Sequence, residues 1–164
     1  MTNIALADAG IAAWDAKFRY HLARPVTFIR NFANGTEDDA IWTPLGQVAS
    51  NGAVTNVTPP FPSYPSGHAV FGGALFTIIA NAISVDKNNG SSFDFVSDEF
   101  NGNTIGADGQ VRNTVHAHYV SLGAAEWENA ESRIWLGIHW QPDADDGSAL
   151  GDAVFARVLQ PLTP

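Results

Sequence analysis

Three short segments of this 164-residue chain carry side chains whose types and spacing suit the handling of an oxyanion. The first is Lys17-Phe-Arg-Tyr-His-Leu-Ala-Arg24-Pro25. Lys17 and Arg24 are seven apart, which on a helix returns to nearly the same face. Two cations so placed repel each other unless an anion sits between them. A solvated basic face is the other reading, and a chain this rich in carboxylates weakens it.

The second segment is Pro65-Ser66-Gly67-His68, opening an apolar run. Ser66 is a good helix N-cap, and Gly67 lets an anion approach the backbone closely. The free N–H groups of a first helical turn and the helix dipole favour a bound oxyanion there. His68 could exchange protons with whatever is bound. A plain capped helix with a solvent-facing histidine would read the same way. The third segment is Ser132-Arg133-Ile-Trp-Leu-Gly-Ile-His139. Ser132 and His139, seven apart, share a helix face. Arg133 and His139, six apart, do not, so the long guanidinium arm or a distortion near Gly137 must bring them together. Arginine supplies fork-shaped donors for oxyanions. A neutral imidazole is a metal ligand or nucleophile, although a lone histidine on an apolar segment is more often a hydrogen-bonded core residue.

The ordered combination is far more specific than its parts. Lys, six residues, Arg-Pro; then Pro-Ser-Gly-His; then Ser-Arg, five residues, His resembles the signature shared by vanadium-dependent haloperoxidases and the type 2 phosphatidic acid phosphatase (PAP2) superfamily. Every signature position matches, and three of the eight basic residues fall in it. The runs from Pro59 to Ala74 and from Glu128 to Trp140 resemble the vanadium chloroperoxidase branch of that family. Trp14, Lys17 and the stretch Trp42 to Asn51 are similar in kind. The likeness spans residues 11 to 157 and is weakest over 84 to 112.

The resemblance implies vanadate as cofactor, with phosphate able to occupy the same site. Lys17, Arg24 and Arg133 would neutralise its equatorial oxygens. Ser66 and the Gly67 amide would add hydrogen bonds. His139 would bind vanadium axially, and His68 would act as acid–base for hydrogen peroxide. The implied activity is peroxide-driven oxidation of halide to hypohalous acid. The same pocket implies an alternative, a PAP2-type acid phosphatase in which His139 attacks phosphorus and forms a phosphohistidine. Phe61 and Trp14 fit a pocket wall beside the oxo group, or else ordinary packing, and do not fix a halide preference. Asp143 fits a carboxylate that steadies the axial histidine, or else one member of the acidic run 143–146. His21, His116 and His118 read as surface or structural.

Family members are much longer, with a helical N-terminal half. The chain accordingly reads as one domain over 1–164, the C-terminal catalytic half of an all-α helical bundle with long ordered loops. That leaves open a fragment, a homo-oligomerising subunit, or a truncated oxyanion-binding module with little activity alone. An exposed apolar patch is expected where the missing half would pack.

Composition agrees. The 17 acidic and 8 basic side chains give a net charge of −9, which argues against nucleic acid or an anionic membrane as partner. Cysteine is absent, removing disulfides and thiolate chemistry, and Met1 is the only methionine. No stretch approaches the roughly 18 apolar residues needed to cross a bilayer, and no signal peptide is recognisable, so the chain reads as soluble.

The elements that must position these residues are predicted as follows. A helix over 5–24, with Ile11, Trp14, Phe18 and Leu22 at helical spacing, ends or kinks at Pro25. Residues 31–65 form an ordered loop ending in a proline-rich run. A second helix runs from Ser66 to Ala82. Residues 84–112 form a long surface loop, a third helix covers 113–138 with a break near Gly123, and a last one spans 148–159. Strand signals are weak throughout.

Overall fold

The computed structural model of the chain describes residues 1–32, 40–46, 56–90, 92–106 and 108–159. Parts of the 31–65 loop, and of the Trp42–Asn51 stretch, lie outside the described residues. The fold is mainly helical, as expected: α1 Thr2–Tyr20, α2 Pro25–Phe32, α3 Gly67–Ala82, α4 Leu122–Trp135 and α5 Gln141–Val158. A short antiparallel pair, β1 Phe93–Phe95 and β2 Ala117–Tyr119, sits between α3 and α4 in sequence. None of the described helices is long and apolar enough to cross a membrane.

Helix α3 is the centre of the bundle, packed by α1, α4 and α5. Its contacts with α1 rest on small side chains. Ala5, Ala9 and Ala13, each four residues from the next, are fully buried, and Lys17 continues that stripe one turn on. The periodicity read from Ile11, Trp14 and Phe18 is present, but it marks the outward face: these residues and Ile4 are all exposed. Alanines bury α1 because they let the helix axes approach closely. The large apolar side chains form an exposed apolar face.

Several boundaries differ from those expected. Helix α1 stops at Tyr20, where His21 adopts a left-handed conformation (φ 51°) and caps the Lys17 carbonyl. Pro25 therefore does not terminate α1 but opens α2, a position that its fixed φ favours. The third helix starts nine residues late, at Leu122, because Ser121 caps it through the Ala124 N–H and the preceding residues pair as β2 with β1. It ends at Trp135, short of Ile138. The last helix starts at Gln141, seven residues early. The acidic run 143–146 lies in its first turns, where negative charge is favoured by the helix dipole.

Helices α3 and α5 cross at near backbone contact. A Cβ on Gly151 would lie 2.2 Å from the Val70 carbonyl oxygen, and one on Gly73 would lie 2.4 Å from that of Ser148. Gly147 and Gly151, one turn apart, form the α5 side of this groove. Gly151→Ala should gain up to about 1 kcal/mol of helix propensity and lose roughly 1–3 kcal/mol to overpacking against backbone that cannot move away. The clash prevails, so a lower urea-denaturation midpoint is expected. At the end of α5 far from the signature residues, Lys87 pairs with buried Glu126 (2.7 Å) and with Asp152 (2.6 Å), clamping the post-α3 loop to α4 and α5.

Candidate oxyanion site

Lys17 points into the junction between α1 and the proline-rich loop. Its ammonium donates to the carbonyls of Pro62 (2.9 Å), Ser63 (3.0 Å) and Pro65 (2.6 Å). All three ammonium protons are thereby engaged by loop backbone, so Lys17 holds the loop that carries Phe61, Ser63 and Ser66. It supplies its charge to the site from behind the wall. Burial and the nearby Arg24 push its pKa down to about 8.

Arg24 reaches the site from the turn between α1 and α2, not from a helix face shared with Lys17. The turn is fixed by the Trp140 indole N–H donating to the Ala23 carbonyl (2.9 Å) and the Ser63 N–H to that of Leu22 (2.8 Å). The Arg24 Nε donates to the Phe61 carbonyl (3.0 Å), and Nη1 donates to the Ile138 carbonyl (2.8 Å) and to His139 Nε2 (2.9 Å). Its Nη2 is buried without a partner. An orphaned guanidinium nitrogen is costly, and an oxyanion in the adjoining cavity would satisfy it.

His139 is not on the helix of Arg133. Gly137 takes φ 70° after α4 ends, and the chain doubles back to place His139 just before α5. This is the distortion that the sequence requires near Gly137. The His139 tautomer follows from its partners. Arginine can only donate, so Nε2 accepts from Arg24 and Nδ1 carries the proton. Nδ1–H donates to Asp143 Oδ2 (2.9 Å), and that oxygen also accepts from the Trp140 N–H (3.0 Å) and from the Ser63 hydroxyl. Asp143 is fully buried. Burial alone would raise its pKa, but the bonds from His139, Ser63 and Trp140 hold it below the usual carboxylate range. It orients the histidine and is not merely one of the acidic run. Ser63 gave no sequence signal, lying in a proline-rich run without periodicity.

Gly67, His68, Arg133, Trp14 and Phe61 line a cavity of about 320 Å³ together with Arg24 and His139. A Cβ on Gly67 would meet the Trp14 ring at 3.2 Å. Phe61 stacks between the cations, its ring centre 5.2 Å from the Lys17 ammonium and 5.1 Å from the Arg24 guanidinium carbon. Ser66 is buried behind Gly67, where its Oγ caps the Ala69 N–H (3.4 Å) and keeps its own proton to donate. Arg133 Nε donates to Ser132 Oγ (3.0 Å). Among the described residues no carboxylate forms an ion pair with Lys17, Arg24 or Arg133, in a chain of net charge −9. Nor do the described residues hold a cluster of three His, Asp or Glu suited to a bare cation.

The pKa values of Lys17, Arg24, His68, Arg133 and His139 are all lowered. Burial is the main cause at each, and neighbouring cations add to it at Lys17, His68 and His139. His68 stands at the mouth with its outer edge in solvent. Desolvation on the cavity side and then Arg133 push it down to about 4. The site resists positive charge until an anion arrives. Phosphate should therefore raise the His68 titration midpoint by a unit or more, read from its ring protons by NMR. A midpoint that phosphate leaves unchanged would place the anion elsewhere.

Comparisons with known proteins identify relatives along most of the chain. A family model described as the VCPO second helical-bundle domain matches residues 1–163. Vanadium chloroperoxidase of Curvularia inaequalis is 33% identical over 88% of this chain, and vanadium-dependent bromoperoxidase of Ascophyllum nodosum is 30% identical over 65% of it. The chain spans 27% and 19% of the length of those relatives. The crystal structure of the first bacterial vanadium-dependent iodoperoxidase superposes with a TM-score of 0.69 at 30% identity, covering 99% of this chain and 32% of that one. A holo-type bacterial vanadium-dependent chloroperoxidase, 20% identical with a TM-score of 0.61, shares the fold.

Proposed function

We propose, from the premise that the chain belongs to the vanadium haloperoxidase family, that it is the catalytic domain of a haloperoxidase using hydrogen peroxide to oxidise halide to hypohalous acid. The observation that carries this reading is the unpartnered Arg24 Nη2, buried beside His139 and among three cations that have no carboxylate partner among the described residues.

The donor set fits vanadate. Arg24 and Arg133 would hold its oxygens with the Gly67 N–H and the Ser66 hydroxyl, while Lys17 contributes charge through the wall. His139 Nε2, which now accepts from Arg24, would offer vanadate a lone pair. Vanadate when bound supplies a Lewis-acidic centre at which a peroxide oxygen becomes electrophilic towards halide. The remaining tasks belong to the chain. His68 is held neutral down to about pH 4, so it would accept a proton from peroxide and give one back later in the cycle. Phe61 and Trp14 exclude water from the oxo side, which suits a weakly hydrated halide. In total, hydrogen peroxide, halide and one proton yield hypohalous acid and water.

A second reading uses the same atoms. Because Asp143 fixes the proton on Nδ1, Nε2 is also a poised nucleophile, and a phosphate ester in the cavity would make the site an acid phosphatase. The relatives favour the first reading. The exposed Ile4, Ile11, Trp14 and Phe18 face of α1, with the chain's coverage of its relatives, supports a further proposal. This domain is one part of a longer protein whose remaining helices cover α1.

One experiment separates the chemistries. The protein is assayed with and without vanadate for peroxide-dependent bromination of a phenol dye and for phosphate-ester hydrolysis. Bromination that requires vanadate and disappears in His139→Ala is expected. Ester hydrolysis inhibited by vanadate would support the phosphatase, and activity that survives His139→Ala would refute the site.

A further inference from the structure

A second cavity, of about 610 Å³, lies between α3, α4 and the β1–β2 pair. Leu75, Phe76 and Ile79 of α3, with Phe93 and Phe95 of β1, make its walls apolar, and Trp135 stands at its rim. Its size is that of a small-molecule site, and so is its pattern of apolar walls with a few convergent polar groups. The polar groups are Glu128, Asn129, Ser132 and Tyr119. Glu128 Oε1 accepts from the Tyr119 hydroxyl (2.8 Å), which leaves Oε2 to meet a donor on a guest.

The two cavities share a wall. Asn129 lines the second cavity and donates to the carbonyl of His68, which lines the first (3.3 Å). Ser132 lines the second and accepts from Nε of Arg133, which lines the first (3.0 Å). A guest here would sit one layer of side chains from the oxyanion site, held by a concave enclosure that the outward face of α1 does not offer.

We infer that this cavity binds an apolar aromatic molecule carrying one hydrogen-bond donor, a phenol or its like, with the donor on Glu128 and the ring against α3 and β1. The guest's fate rests on the haloperoxidase reading, whereas its binding does not. Under that reading it is the halogen acceptor. Hypohalous acid forms a carbon–halogen bond at the ring, the ring carbon loses its proton, and hydroxide leaves with that proton as water.

Thymol is a suitable probe. Titrated into the whole 164-residue chain, it should bind saturably and shift the NMR signals of Leu75 and Ile79. Leu75→Trp, which fills the cavity, should weaken thymol at least about tenfold and leave phosphate binding at the oxyanion site unchanged. That phosphate control also reports a folded variant; should it fail, Phe95→Ala, on the strand side, serves in its place and must weaken thymol likewise. Absence of saturable binding, or equal affinity in the variants, overturns the inference. With vanadate, peroxide and bromide added, thymol that binds without being brominated refutes the haloperoxidase reading alone. Bromination that rises linearly with thymol and is the same in Leu75→Trp refutes the cavity as the acceptor site alone.

Discussion

Asp143→Asn is expected to lower peroxide-dependent halogenation by about 10–10⁴, the range spanned by losing a ligand-orienting carboxylate and by inverting a catalytic histidine's tautomer. The carboxylate does one thing that an amide cannot. It only accepts, and so it keeps the His139 proton on Nδ1 and the lone pair on Nε2, which faces Arg24 and the cavity. An asparagine can turn its NH₂ towards Nδ1 and drive the proton to Nε2. The Nε2 lone pair would then be gone, although every side chain stays in place. The variant also weakens the bonds from Ser63 and Trp140, so lost stability must be told apart from lost chemistry. Phosphate binding does this. It depends on the Arg24 and Arg133 charges more than on the Nε2 lone pair, and should fall less than about tenfold. Vanadate affinity, which needs that lone pair, should fall with activity. Ser63→Ala removes one bond to Asp143 without inverting the tautomer, and should cost no more than roughly 1–3 kcal/mol of stability. Parallel collapse of phosphate and vanadate binding in Asp143→Asn would reduce Asp143 to a structural residue.

The candidate site residues were legible because they sit in short contiguous motifs whose local conformation the sequence dictates. Ser66 caps α3, Gly67 admits close approach, and Gly137 supplies the left-handed turn that frees His139 from α4. Features fixed by tertiary contact were not legible. The apolar period of α1 was visible, but which face is buried depends on axis separation, and alanines won over Ile11, Trp14 and Phe18. The early start of α5 was hidden because its first turns read as an acidic loop. Ser63 joins the site only because the Lys17 ammonium and the Leu22 carbonyl hold its backbone from other segments. The β1–β2 pair was missed because two three-residue strands carry almost no period.

Lys17 is placed differently from its expected role, donating to loop carbonyls rather than facing the cavity, and Lys17→Met tests what that placement does. Methionine would fill the volume and leave the carbonyls of Pro62, Ser63 and Pro65 without their donor. Each unsatisfied carbonyl costs about 1–3 kcal/mol. Against this, the variant no longer buries an ammonium whose fall from 10.5 to about 8 corresponds to roughly 3 kcal/mol. The carbonyls outweigh the relief, so a net loss of a few kcal/mol is expected, together with about a hundredfold weaker phosphate binding as the loop bearing Phe61 and Ser66 loosens. The pH dependence separates the two halves of this account. In the anion-free protein Lys17 titrates at about 8, and a bound anion pulls it back up, so binding takes up one proton above that pH. Phosphate remains a dianion there, and its affinity should fall about tenfold per pH unit from 8 until Arg24 begins to titrate near 10. Stability of the anion-free chain should move the other way. The unfolded state binds more protons between 8 and 10.5, so the burden of burying Lys17 is relieved as pH rises through that window. Below the pH at which Arg24 and Tyr64 begin to contribute, both slopes should vanish in Lys17→Met, measured by calorimetric phosphate titration and by urea denaturation. If wild type and variant share one phosphate slope, the Lys17 charge does not reach the anion.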